Sequence, residues 1–290
     1  ELSNYSYIFF IDSYDRTLFG KIRRIKYGYN AFPLFKAALK ENLHHKIILF
    51  LIEPESVMPW NYKIRNHESI SKIFTWRQDL VDNDKYFLYL LPALQQHSKK
   101  KYIDFENKKL IMNVTSNKYS SDKNELYSSR RAIIKFLDKN YEDSFDLFGP
   151  GWDQNNILIN FKRILRHRQF DFYKYKTYRG LMGDKSDEIP KYKFILCYEN
   201  SRYINFITEK IFDVFFNNSV PIYYGALNIS DYIPPDTFID RSKFSSDHEL
   251  IEYIKNIKKE EYNVYMNNIN AFLSSHDIKK FRSKEFVISF

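Results

Sequence analysis

The 290-residue chain has a single cysteine, so no intrachain disulfide can hold it. Cys197 lies inside the apolar run YKFILCY, where a lone thiol is core packing, and the chain fits a reducing compartment. With seven glycines there is no GxGxxG and no GxxxxGK[ST] loop, which removes the dinucleotide fingerprint and the P-loop. No apolar run reaches membrane-spanning length and no leader pattern is visible. The expectation is a cytoplasmic chain, with the inner-membrane surface as a peripheral contact. The seven histidines show no ligand spacing. Internal repeats are lacking, and so is low complexity beyond the Tyr/Lys-rich stretch at 173–179.

What is abundant is positive charge and aromatic side chains. Net charge is +9, which suits an anionic partner such as a nucleotide, a phosphate-rich substrate or an acidic membrane surface. Basic clusters occur at 21–28, 162–168 and 173–179. Each alone is a solvated face and none is a long basic tail, so nucleic acid is not expected as a partner. The 24 Tyr and 26 Phe are accounted for equally well by an AT-rich genome and by a binding role as a class.

Short apolar runs alternate with helical patterns along the chain. Strands are predicted at 7–11, 46–52, 71–76 and 86–91, with a helix over 32–41 that Pro33 suits in its first turn. A polar break at 97–109 reads as a linker. A second round follows, with strands at 110–114, 145–148, 192–198, 220–224 and 237–240, and helices at 124–140, 208–216, 246–257 and 259–274. Gly149-Pro150-Gly151 stops the strand before it. Such alternation predicts mostly parallel α/β sheets in two domains, whose ligands sit outside the carboxyl ends of the strands. Glu53 and the pair Glu199-Asn200 both lie at such ends.

The stretch CYENSRYINFITEK, 197–210, gathers Glu199, Asn200, Glu209 and Lys210 around one strand-to-helix turn. A turn needs polar residues but not two acids and a base. Lys210 falls in the first turn of its helix, where a cation is unfavourable unless an anion sits beside it and where backbone N–H groups favour phosphate. Glu209 serves equally as a helix N-terminal acid or as an acceptor for sugar hydroxyls, and Asn200 as a turn cap or a ligand contact. Glu199 reads at least as well as a structural hydrogen-bonding group. Asp82-Asn83-Asp84 matches a metal-binding Asp-x-Asp pair literally, but it sits in a polar turn and reads as solvated, so no metal ligands are assigned.

Residues 192–244 resemble the donor-binding signature of the alpha-1,3-fucosyltransferase family, of the bacterial lipopolysaccharide and Lewis type. Asn200 is followed six positions on by Phe206, then at once by Ile207-Thr208-Glu209-Lys210. Val220-Pro221-Ile222-Tyr223-Tyr224-Gly225 and Pro234-Pro235-Asp236-Thr237-Phe238-Ile239 keep the remaining spacings. Upstream, LYSSRRAIIKFL is similar to the family helix with an Arg near its start, which Arg130 matches best. LFLIEPESVMPWNY is similar to the strand-end Glu with a Pro six residues on, here Glu53 and Pro59. Relatives often carry Tyr at the position of Phe206.

The resemblance implies a GT-B-type fold of two facing Rossmann-like domains. An acceptor-side domain would cover 1–105, a GDP-sugar donor domain 106–275, and a tail at 276–290 would fold back towards the first. It also implies inverting, metal-independent transfer of L-fucose from GDP-fucose to a glycan hydroxyl, in an α-1,3 or α-1,4 linkage, on an oligosaccharide or lipopolysaccharide. The process served would be lipopolysaccharide biosynthesis or protein glycosylation. No cofactor is implied. Arg130, Asn200, Phe206, Glu209 and Lys210 would bind the donor. Glu53 would be the general base, since it follows the apolar run KIILFLI and should be partly desolvated; Glu55 is the fallback. A transferase for another GDP-linked deoxysugar and a catalytically silent glycan-binding relative are the alternatives.

Overall fold

The computed structural model describes residues 2–12, 31–93, 101–153 and 173–282. The basic clusters at 21–28 and 162–168 lie outside them. The chain forms two compact units, Glu1–Leu90 and Leu91–Phe290.

The first unit is a four-stranded sheet of β1 (Ile8–Ile11), β2 (Ile47–Leu51), β3 (Lys72–Thr75) and β4 (Tyr86–Leu88). All neighbours are parallel and the spatial order follows the sequence. IILFL is almost wholly buried, as a parallel strand covered on both faces requires. Helix α1 (Ala31–Lys40) lays Phe35 and Ala38 into the core, with the Phe35 ring edge-on to Phe10 at 5.6 Å. The Asp82-Asn83-Asp84 turn leads into β4. There the Asp82 carboxylate accepts three backbone N–H groups, from Asp84, Lys85 and Tyr86, and Asn83 takes a left-handed φ of 61°. This is a turn cap of the ordinary kind.

The second unit has five parallel strands: β5 (Lys109–Val114), β6 (Phe145–Phe148), β7 (Tyr192–Tyr198), β8 (Val220–Tyr224) and β9 (Ile239–Asp240). Their order is β6-β5-β7-β8-β9. The progression therefore reverses between β5 and β7, and a crevice opens at such a switch point. Helix α2 (Tyr127–Asn140) follows β5. The one-turn α3 (Lys185–Glu188) precedes β7, and α4 (Glu209–Phe216) follows it. Helices α5 (Asp247–Asn256) and α6 (Lys259–Ser274) come after β9. In α4 the spacing of Ile211, Phe212, Val214 and Phe215 buries one face, and Phe215 meets Phe272 of α6.

Residues 277–281 form a short 3₁₀ turn within this second unit. Phe281 is fully buried there, 4.8 Å from the Phe212 ring, and its carbonyl accepts the Ala93 N–H. Leu91 and Ala93 are buried too, so the units divide before them, at 90/91, where the sequence suggested 105/106. Residues 283–290 of the expected tail lie outside the described residues.

Asp146 on β6 ties this sheet together. Its buried carboxylate accepts from Lys109 of β5, Arg179, and Tyr192 of β7. Burial opposes its charge, but these three donors win and hold its pKa below the usual carboxylate range. A native pKa depressed in this way gives stability that is complete above the unfolded value of about 3.9 and is lost as pH falls through the native one. Urea unfolding of wild type and Asp146→Asn should therefore differ most near neutral pH and converge on acidification. A gap that stays constant down to about pH 2 would refute this account.

Candidate functional site

The strand ends at the β5/β7 switch point are drawn together by Arg130, in the first turns of α2. Its side chain is buried. Nη1 donates to Thr115 Oγ1 just past β5, at 2.6 Å. Nη2 reaches the carbonyls of Tyr198 and Glu199 at the end of β7, at 2.5 and 2.7 Å, and Asn200 Oδ1 at 3.4 Å. Nε has no partner among the described residues. Gly149, with φ 116°, lets the end of β6 press against β5: a Cβ there would lie 2.2 Å from the Thr115 carbonyl oxygen.

Beyond β7 the side chains alternate, as along any strand. Cys197 and Glu199 turn to the α4 side: the Cys197 thiol donates to the Lys210 carbonyl, and Glu199 meets the Lys210 ammonium. Tyr198 turns the other way. With Ser129, Arg202, Tyr224 and Arg241 it lines a cavity of about 320 Å³ at the carboxyl edge of the sheet.

Glu199 is completely buried, and its carboxylate is fully engaged by the turn that follows. Oε1 accepts the Thr208 N–H at 2.8 Å. Oε2 accepts the Thr208 hydroxyl at 2.8 Å and Lys210 Nζ at 3.2 Å. Thr208 is the N-cap of α4, its Oγ1 facing the Lys210 N–H. The same oxygen accepts from Lys210 Nζ at 2.9 Å. Burial pulls the Lys210 ammonium down, but the carboxylates of Glu199 and Glu209 outweigh it and raise its pKa. The anion that lets a lysine occupy a first turn is therefore supplied by the chain itself. Among the described residues two of the three ammonium hydrogens are engaged, by Glu199 and Thr208, and the side chain stays 27% exposed.

Glu209 is half-exposed beside it, 3.8 Å from Nζ. Asn200 is partly buried, its side-chain oxygen under Arg130 and its carbonyl accepting the Leu126 N–H ahead of α2. Phe206 is 1% exposed, so its ring packs inside rather than offering a stacking face. The turn before it depends on Asn205, held at φ 64° by Asn228 and Tyr232. Arg130, Asn200, Glu209 and Lys210 thus meet at one strand-to-helix turn, with Phe206 beneath it.

In the first unit, Glu53 lies two residues past β2, partly buried. Its backbone is gripped by side chains: the N–H donates to Asp12 Oδ1, and the carbonyl accepts from Asn61 Nδ2 and the Tyr62 hydroxyl. Glu55 instead faces Arg77 at 3.4 Å. Asp12 escaped the sequence reading, though it ends the apolar run YIFFI as Glu53 ends KIILFLI. Among the described residues no cluster of three or more His, Cys, Asp or Glu could hold a metal. Nor is any described helix long and apolar enough to cross a membrane.

Two parallel sheets of this kind, with ligand-type groups at the switch point of the second, make the fold GT-B-type α/β. Two solved structures share it: an alpha1,3-fucosyltransferase with GDP (16% identity, TM-score 0.50, 81% of this chain and 74% of that one), and an alpha-glucosyltransferase in complex with UDP-glucose and abasic DNA (10%, TM-score 0.58, 99% and 81%). The model of glycosyltransferase family 10 (fucosyltransferase), C-terminal part, matches residues 104–284, and the chain belongs to that family. An alpha-(1,4)-fucosyltransferase of Arabidopsis thaliana is 47% identical over 66 residues, 23% of this chain and 16% of that protein. The alpha-(1,3)-fucosyltransferase FucT of Helicobacter pylori is 36% identical over 72 residues, 25% and 15%. These matches span less than a fifth of either relative's length.

The last position of the VPIYYG run is explained by this geometry. A Cβ on Gly225 would stand 2.4 Å from Glu199 Cγ and 2.6 Å from the Tyr223 hydroxyl, so Gly225→Ala must displace the buried carboxylate. The variant should lower the melting temperature in a thermal scan, and an unchanged one would show that the turn yields around the added methyl group.

Proposed function

We propose that the chain is an inverting fucosyltransferase that moves L-fucose from GDP-fucose to a hydroxyl of a glycan acceptor, in an α-1,3 or α-1,4 linkage. Family membership and the named relatives support the reaction class. The observation that carries the donor assignment is Lys210. Its ammonium is fixed by Glu199 and Thr208 at a helix N-terminus on a sheet switch point, with the side chain still 27% exposed.

The leaving group is a nucleoside diphosphate, and its departure builds negative charge. Lys210 and the backbone N–H groups opening α4 would neutralise that charge without reorganising. Glu209, half-exposed beside them, would accept from hydroxyls of fucose or ribose. Asn200 would hold the donor from the β7 side. Arg130 acts through Asn200 and the strand-end carbonyls, because its side chain is buried and both of its Nη groups are already engaged, one by Thr115 and the other by those carbonyls. Phe206 supports the loop from beneath. In the first unit, Glu53 would take the proton of the acceptor hydroxyl as the donor bond breaks through an oxocarbenium-like state. The step needs no metal in this reading, since Lys210 would supply the cation beside the phosphates. The net charge of +9 suits the anionic donor, and an acidic membrane surface near the acceptor is compatible with it.

Transfer from GDP-fucose, screened over an array of glycan acceptors, tests the reaction; no transfer to any of them would leave a silent glycan binder or another GDP-deoxysugar enzyme. Glu53→Gln should cut the rate by roughly 100-fold or more while leaving GDP affinity nearly unchanged. Lys210→Ala should weaken GDP binding and slow transfer together, since its charge matters most as the bond breaks. A near-normal rate for Glu53→Gln would move the base to Glu55. Turnover should survive EDTA; complete loss restored by manganese would overturn metal independence.

A further inference from the structure

We propose that Asp12 is a positioning residue for Glu53, fixing the direction in which the Glu53 carboxylate leaves the strand end. This rests on the reading in which Glu53 is the general base.

Asp12 follows β1 directly and has φ 58°, a left-handed conformation that Asp accepts more readily than most residues. Its own N–H donates to the Phe50 carbonyl at 2.7 Å, which bolts it to β2. One carboxylate oxygen, Oδ1, then accepts three donors: the Ile52 N–H at 2.8 Å, the Glu53 N–H at 3.0 Å and Asn61 Nδ2 at 2.7 Å. Asn61 is fully buried, and the same Nδ2 also reaches the Glu53 carbonyl at 3.1 Å, beside the Tyr62 hydroxyl at 3.0 Å. Neighbouring groups are tied in as well. His67 Nε2 bonds the Asn61 carbonyl at 2.7 Å, and Trp76 Nε1 donates to the Ile52 carbonyl at 3.1 Å.

Both backbone groups of Glu53 are therefore held by side chains and not by a strand partner. The peptide planes on either side of its Cα are fixed, so its Cα–Cβ direction is fixed. Burial disfavours the charge on Asp12 and pushes its carboxyl up despite the three donors. An ordinary turn would satisfy two N–H groups without burying a carboxylate. The extra cost is accounted for where the next side chain must point accurately, because loss of alignment at a reacting group costs far more in rate than in binding.

The test compares Asp12→Ala and Asp12→Asn in the full chain, with kcat and the KM for GDP-fucose measured separately. Asp12→Ala should lose roughly 10- to 100-fold in kcat with KM nearly unchanged. Asp12→Asn keeps an oxygen that accepts the same three bonds and should recover most of the loss. Added to Glu53→Gln, Asp12→Ala should cost little more, because a positioning residue has nothing left to position. Where Asp12→Ala does not fold, Asn61→Ala removes the shared Nδ2 donor and should show the same kcat-selective loss. Normal kcat in the alanine variant, no recovery with asparagine, or full additivity with Glu53→Gln would each overturn the proposal. A Glu53→Gln enzyme that keeps its rate would instead defeat the base assignment, whatever Asp12 does.

Discussion

A carboxylate with no exposure at the end of β7 sets the terms for the second unit. Removing a carboxylate from water costs on the order of several kcal/mol unless donors replace the water it loses. Glu199 finds all of its replacements in one place: a backbone N–H, a hydroxyl and an ammonium from Thr208 and Lys210. The loop between them must then close to one geometry. Asn205 accepts a left-handed backbone for it, Phe206 fills the space below, and Gly225 just past β8 gives up its side chain so that Glu199 can pass. The start of α4 is therefore placed by the demands of a buried charge, and the residues proposed to hold the donor inherit that placement.

The first unit uses the same device at a different scale. Asp12 follows β1 as Glu199 follows β7, and each carboxylate accepts backbone N–H from a later stretch of its unit, Ile52 and Glu53 past β2 for one and Thr208 ahead of α4 for the other. In both cases the group proposed to meet substrate is a neighbour of the buried acid, Glu53 in one unit and Lys210 in the other. In the second unit the more exposed group is left to meet substrate while the deeper acid holds the frame. That division follows from geometry, because a buried carboxylate whose oxygens are taken by such donors has little reach to offer a ligand.

Most of the element pattern was legible because both sheets are parallel and buried, so their strands stand out as apolar runs such as KIILFLI and YKFILCY. The strands over 192–198 and 220–224 and the helix over 259–274 appear with those bounds. The switch point was not legible, since strand order is a long-range property that no local pattern encodes. The site was legible as a set of residues but not as a set of contacts. Lys210 was argued to need an external anion, whereas Glu199 supplies one. Phe206 was expected at the ligand and is interior. The resemblance put Arg130 among the donor-binding residues, and nothing local announced its contacts with Thr115 and the strand-end carbonyls. Each difference arises because burial and partner choice depend on residues distant in sequence, such as Thr115 and Tyr224. Asp12 went unnoticed although its local signal, an acid closing an apolar run, was the one used for Glu53.

The alternation along β7 limits how this unit can change over evolutionary time. Cys197 and Glu199 face α4, while Tyr198 faces the cavity bounded by α2. Losing or gaining one codon between Tyr192 and Glu199 would turn every one of these side chains to the opposite face, putting a tyrosine against Lys210 and a carboxylate among Tyr224 and Arg241. The segment can therefore drift in composition but not in length. Divergence in size among descendants of such a chain should collect in the connections ahead of β7, leaving the seven residues of the strand as a fixed ruler between the two sides of the sheet.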